Sequence, residues 1–201
     1  MTTSVERAIS RSAAAFRDVV WPEIRHELGD ATLIPVESVS DSHFARCLDM
    51  QAGIDAWLLH GDTHMRGLAS RVQWIWRSRS PFDTFTVRTL TDYGNINTEH
   101  RKRTIAIATP GAVLPYWTVQ AFLRENTDDF LSVAVARTTD VIACVGHVGY
   151  ETPNGHGGRM WVIPWQQLAG TGAPLVVVRA EDKTPARFLE RGSCATPNRW
   201  E

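Results

Sequence analysis

Residues 48–74 read LDMQAGIDAWLLHGDTHMRGLASRVQW, and they hold the densest set of chemically capable side chains in the chain. Asp49 and Asp55 stand beside Gly53 at the start of an apolar run, AWLL. A polar turn, HGDTH, follows, and a second run then carries Arg71 and Gln73 two positions apart. Residues i and i+2 of a strand share a face. If both runs are strands, the hairpin presents a carboxylate on one strand and a cation with an amide on the next. Hard cations such as Mg²⁺ take carboxylate oxygens and keep several waters. A neighbouring cation stabilises charge developing on phosphate. The pattern therefore suits a divalent metal and a phosphate, with Asp49, Asp55 and one glutamate, Glu23, as metal ligands. The competing reading makes Asp49 and Asp55 turn acids at strand ends, with Arg71 and Gln73 on a solvated face.

A second group of charges lies downstream. Arg77, Arg79, Arg88, Arg101, Lys102 and Arg103 fall within 27 residues, interleaved with Trp74, Trp76, Phe82 and Phe85. Cations with aromatics suit a phosphate backbone and unstacked bases, so DNA or RNA is an expected partner. As a plain helix start, Glu99 would sit at an N-terminus and the cations beside it on the surface. The seven histidines, among them His60, His64, His147 and His156, match no tight zinc spacing. GHGGR at 155–159 lacks the strand-to-helix context of a phosphate loop and reads as an ordinary loop.

The elements that must position these residues can be read coarsely. Val5, Ile9, Ala13, Phe16, Val20, Ile24 and Leu28 recur at three- and four-residue steps and predict a helix over 4–28. Gly29 is its stop, and Pro22 splits it or starts its second half. Residues 31–37 read as a short strand or extended link. Strands are expected at 43–50, 53–60, 65–76 and 82–90, with turns at Gly61–Asp62 and 92–95 and a loop at 78–81. Thr98 opens a helix, TEHRKRTIAIA, that Pro110–Gly111 ends. A second helix is expected after Pro115, through YWTVQAFL. Residues 131–138 read as buried strand, and 140–146 as strand or helix. Residues 149–159 read as a loop, MWVIPW as a short strand or edge segment, and 174–180 as the last strand. This order implies a single α/β domain over 1–180, with a mixed central sheet and an antiparallel hairpin core flanked by helices, and a loosely ordered tail over 181–201.

Composition agrees. At 201 residues the chain buries enough apolar surface to need no staples. With 21 basic and 22 acidic residues it is no polycation, so a nucleic-acid contact must come from a local patch. Cys47, Cys144 and Cys194 form neither a disulfide framework nor a metal spacing. The first residues, MTTSVERAISRS, lack the apolar core of a signal peptide, and no apolar run reaches the roughly 20 residues of a membrane helix. A cytoplasmic protein without membrane contact is expected. The eight tryptophans read chiefly as core.

The Gly53-Ile54-Asp55 context, apolar strand, turn and polar-paired strand resemble the core of the PD-(D/E)XK nuclease-like (restriction-endonuclease-like) superfamily. There a hairpin presents an acid from one strand and an acid or glutamine, then lysine, from the next, and a preceding helix often adds another acid. Asp55 matches the first acid, Arg71 follows it by 16 positions, and the N-terminal helix offers Glu23 and Glu27. The usual E-x-K is replaced by Ala69-Ser70-Arg71, and Arg71 with Gln73 inverts the polar order. Family members sometimes move the acid or lysine to a neighbouring helix, and Glu99 with Lys102 would complete the set that way. The resemblance covers residues 4–105. It implies Mg²⁺-dependent phosphodiester cleavage by Asp55, Arg71, Gln73, Glu99 and Lys102. Two alternatives stand beside it: a nucleic-acid-binding protein that keeps this scaffold without catalysis, and a small-molecule or protein-interaction module.

Overall fold

The computed structural model describes residues 4–36, 52–61, 64–76, 79–91, 98–154, 157–181 and 186–188. The expected strand at 43–50, Asp49, Arg77 and the turn at 92–95 lie outside these. The chain is mixed α/β: a seven-stranded mixed sheet, a three-stranded antiparallel sheet, and helices.

The N-terminal helical run is continuous from Ser4 to Leu28 but changes pitch. Helix α1 (Ser4–Ala15) passes through a π-helical stretch (Phe16–Val20) into α2 (Trp21–Ile24), then a 3₁₀ turn to Leu28. Pro22, the second residue of α2, supplies no backbone N–H to the preceding turn and sits where the pitch changes. Gly29, at φ 75°, ends the run by returning its N–H to the last carbonyls. Phe16, Val20, Ile24 and Leu28 are buried at four-residue steps against Leu58, Leu68, Val72 and Val119 of the large sheet.

That sheet has the order β1-β2-β3-β5-β6-β9-β10. Its strands are β1 (Thr32–Pro35), β2 (Ala56–His60), β3 (His64–Ile75), β5 (Trp117–Arg124), β6 (Phe130–Arg137), β9 (Leu175–Arg179) and β10 (Ala186–Phe188). The hairpin β2–β3 is antiparallel, with Ala56 opposite Leu68 and His60 opposite His64. β3 then runs parallel to β5, with Arg71 beside Gln120. A parallel pair needs a crossover. The crossover holds β4 (Thr84–Leu90) and helix α3 (Glu99–Ala108). The small sheet, β4-β8-β7, adds β7 (Tyr150–Asn154) and β8 (Gly158–Pro164).

Alternation along the strands separates two cores. One face of β3 and β5 (Leu68, Val72, Val119, Leu123) packs under the N-terminal helices. The other face (Ile75, Phe122) packs with Phe85, Val87 and Ile163 of the small sheet, and with helices α4 (Thr138–Cys144) and α5 (Trp165–Gly170). Arg71 and Gln73 share this second face.

Several elements differ from the sequence expectation. Residues 117–124 are strand rather than helix. Trp117, Val119, Ala121 and Leu123 enter one core while Phe122 enters the other. Burial on both faces leaves a continuous apolar run with no period to tell strand from helix. Residues 138–144 are helix, which selects the strand-then-helix reading of 131–146. The expected loop at 149–159 contains β7 and the start of β8; β7 is a polar, half-exposed edge strand without an apolar pattern. MWVIP (160–164) belongs to β8, the short strand expected there, and is the central strand of the small sheet rather than an edge, while Trp165 opens α5. Residues 186–188 pair with β9, so the sheet continues past residue 180. Trp117 and Trp165 are fully buried, but Trp76 is 63% exposed. Among the described residues, no helix is long and apolar enough to cross a membrane.

Candidate functional site

On the second face of the large sheet, where the segment leading into β2 and strands β3 and β5 meet β4 and α3, lies an open cleft of about 370 Å³. Among the described residues, two carboxylates, Asp55 and Glu99, and four cations, Arg71, Arg88, Lys102 and Arg103, line it.

Asp55 is placed by the turn into β2. Gly53 takes φ 65°, a conformation most side chains avoid, and swings the chain so that Asp55 N–H donates to Leu68 O at 2.9 Å. The Asp55 carboxylate then faces β3, where Oδ2 accepts from Ser70 N–H at 2.5 Å and Ser70 Oγ at 3.1 Å.

Glu99 is the first residue of α3, whose N-terminus is capped by Thr98 Oγ1 accepting from Arg101 N–H. The Glu99 carboxylate lies between two guanidinium groups. Arg71 reaches Oε2 at 3.0 Å, and Arg103, one helical turn on, reaches Oε1 at 3.0 Å. The backbone N–H of Arg88 also donates to Oε2, at 3.2 Å. Burial pushes the Glu99 pKa up, but Arg71, Arg103 and the Arg88 N–H together outweigh it and hold the carboxyl below its ordinary range. Arg103 is pulled down by burial, against the attraction of Glu99, and stays charged at physiological pH.

Neutral acceptors hold the same guanidinium groups from other elements. Arg71 Nη1 donates to Thr86 O at 3.0 Å and Thr86 Oγ1 at 2.7 Å, both on β4. Thr86 Oγ1 bonds Gln120 Oε1, and Gln120 Nε2 donates to Gln73 Oε1 at 3.1 Å. Arg103 Nη1 donates to Thr118 Oγ1 at 3.3 Å, and Thr118 shares a 2.8 Å hydrogen bond with Thr138. The result is a partly buried polar network from Gln73 to Thr138 that runs through Arg71, Glu99 and Arg103.

The fold thus brings together Asp55, Arg71, Glu99, Lys102, Arg88 and Arg103 of the residues singled out from sequence. Gln73 lies one layer behind, on Gln120. Glu23 is not brought in: it is exposed on α2, and that helical run packs on the opposite face of the sheet. Arg101 is exposed on α3, and Arg79 is exposed beyond the end of β3, its N–H donating to Trp76 O. Ser70, Thr86, Thr118 and Gln120 were not anticipated; only their β-strand alternation could have suggested them. His60 and His64 face each other across the β2–β3 turn. Burial, with Arg66 and His64 nearby, keeps His60 below its ordinary pKa and neutral at pH 7.

The donor set does not fit Mg²⁺ as arranged. Both Glu99 oxygens are committed to arginines, and Ser70 holds one oxygen of Asp55. Among the described residues, no three His, Cys, Asp or Glu side chains converge on one metal position. What the cleft offers is anchored cationic donors, the chemistry that recognises phosphate oxygens. No protein-family model matches this chain, and neither curated proteins nor solved structures give a match.

Proposed function

We propose that the protein binds nucleic acid through its phosphate backbone in this cleft, on a restriction-endonuclease-like scaffold that does not cut. The observation carrying this reading is the pair Arg71 and Arg103. Both are pinned by threonine acceptors on separate strands, and both open onto a cleft with two further cations. The scaffold reading is supported by the helix before the hairpin, by Asp55 at the entry to β2 and by Arg71 on the neighbouring β3. Glu99 and Lys102 come from the next helix. Exposed Trp76 and Phe82, with Arg79 beside Trp76, add stacking surfaces suited to unpaired bases.

Each phosphate contact releases counterions, so affinity for single-stranded and duplex oligonucleotides should fall steeply with salt. Lys102→Ala should weaken all sequences alike and reduce the log–log salt slope by about 0.7–0.9. Fluorescence-anisotropy titrations at several salt concentrations measure both quantities. No binding at low salt ends the proposal. A second reading, a metal-dependent nuclease, keeps Asp55, Glu99 and Lys102 in one cleft but requires Glu99 to leave its arginines before it could join Asp55 at a metal. Cleavage of an oligonucleotide in Mg²⁺ or Mn²⁺ by the wild type but not by Asp55→Asn would establish it instead.

A further inference from the structure

We infer that Glu99 is an internal occupant of the anion site, and that a backbone phosphate binds by displacing its carboxylate from between Arg71 and Arg103. This rests on the nucleic-acid-binding reading of the cleft and adds how that site is held closed.

Three observations carry it. The first is that each arginine has an acceptor besides Glu99. Arg71 is held by Thr86, and Arg103 by Thr118, which Thr138 holds in turn. When the carboxylate moves away, Thr86 and Thr118 remain as acceptors for the two guanidinium groups. The second is that the donors around Glu99 make a phosphate set. Two guanidinium groups and the Arg88 N–H converge on two oxygens at 3.0–3.2 Å. A phosphodiester carries one negative charge, as the carboxylate does, so the exchange preserves the local charge balance while Arg–phosphate pairs replace Arg–carboxylate pairs. The third is that Glu99 is partly accessible from the cleft. Its side chain is 21% exposed at the edge of the cleft, and Thr98, not Glu99, caps the helix. A ligand shifts such an equilibrium only by its differential affinity for the open arrangement. Glu99 therefore sets a threshold that isolated weak anions do not pass.

The test compares wild type with Glu99→Gln, which keeps the size of the side chain but removes the competing charge. The probes are inorganic phosphate and a single-stranded oligonucleotide, and near-UV circular dichroism checks the fold. The expected result is at least tenfold tighter oligonucleotide binding by the variant, with a steeper salt slope and phosphate competing at lower concentration. If the wild type binds and a folded Glu99→Gln binds no tighter, Glu99 is only a structural clamp; the inference falls and the binding reading stands. If neither protein binds at low salt, both fall. Should the variant not fold, the wild type decides by ¹³C NMR. The Glu99 carboxyl resonance should move as oligonucleotide saturates the protein, and an unmoved resonance overturns the inference.

Discussion

Arg103→Met probes the network most directly, because it keeps much of the side chain's volume while removing the charge. The Arg103 side chain is 8% exposed and that of Glu99 21%, so their 3.0 Å pair is largely out of water. Breaking a fully buried pair by removing one partner costs about 3–5 kcal/mol, because the other charge is left uncompensated. Here Glu99 keeps Arg71 and the Arg88 N–H, so the loss should sit below that range, at about 2–3 kcal/mol. For a chain of this size each kcal/mol moves Tm by about 2–4 °C, which gives a fall of about 4–12 °C. Urea unfolding followed by tryptophan fluorescence should show a lower midpoint with an unchanged m-value. Glu99→Gln combined with Arg103→Met should lose less than the two single changes summed, since the partners act as one unit. An Arg103→Met protein within about 0.5 kcal/mol of wild type would refute the reasoning, because that is the range of ordinary surface substitutions.

Glu99 also makes a pH prediction. Its folded pKa lies below the ordinary 4.5, so its contribution is fully present above about pH 4.5 and is lost as pH falls through the folded value. The stability difference between wild type and Glu99→Gln, measured by thermal melts, should therefore be constant near neutrality and shrink in acid; a difference independent of pH down to full protonation would contradict it. Gly149→Ala should lower Tm sharply. Gly149 has φ 87°, and an added Cβ would collide with Val162 O at the start of the β7–β8 pairing, beyond the roughly 1–3 kcal/mol that left-handed strain alone costs. A near-wild-type melting temperature would mean that this hairpin bends freely there.

Where periodicity or turn chemistry is local, the sequence by itself determined the outcome. The four-residue spacing of Phe16, Val20, Ile24 and Leu28 specifies a helix with one apolar face, and Gly29 its end. Gly53-Ile54-Asp55, the apolar run and the turn specify the hairpin, and Thr98 caps α3 as its hydroxyl allows. Even the Glu99–Arg103 pair is written in an i,i+4 spacing. Tertiary structure alone decided the rest, because those choices depend on what lies across space. β5 became a strand since both its faces found cores, a fact its own unbroken apolar run cannot express. Arg71 met Glu99 across 28 residues only because β3 runs parallel to β5, and that crossover carries α3 over the same face. The same alternation that turned Arg71 toward Thr86 and Gln120 left Glu23 on the far side of the sheet. Residue types showed which chemistry was available; the pairing of distant strands selected which charges would share a cleft.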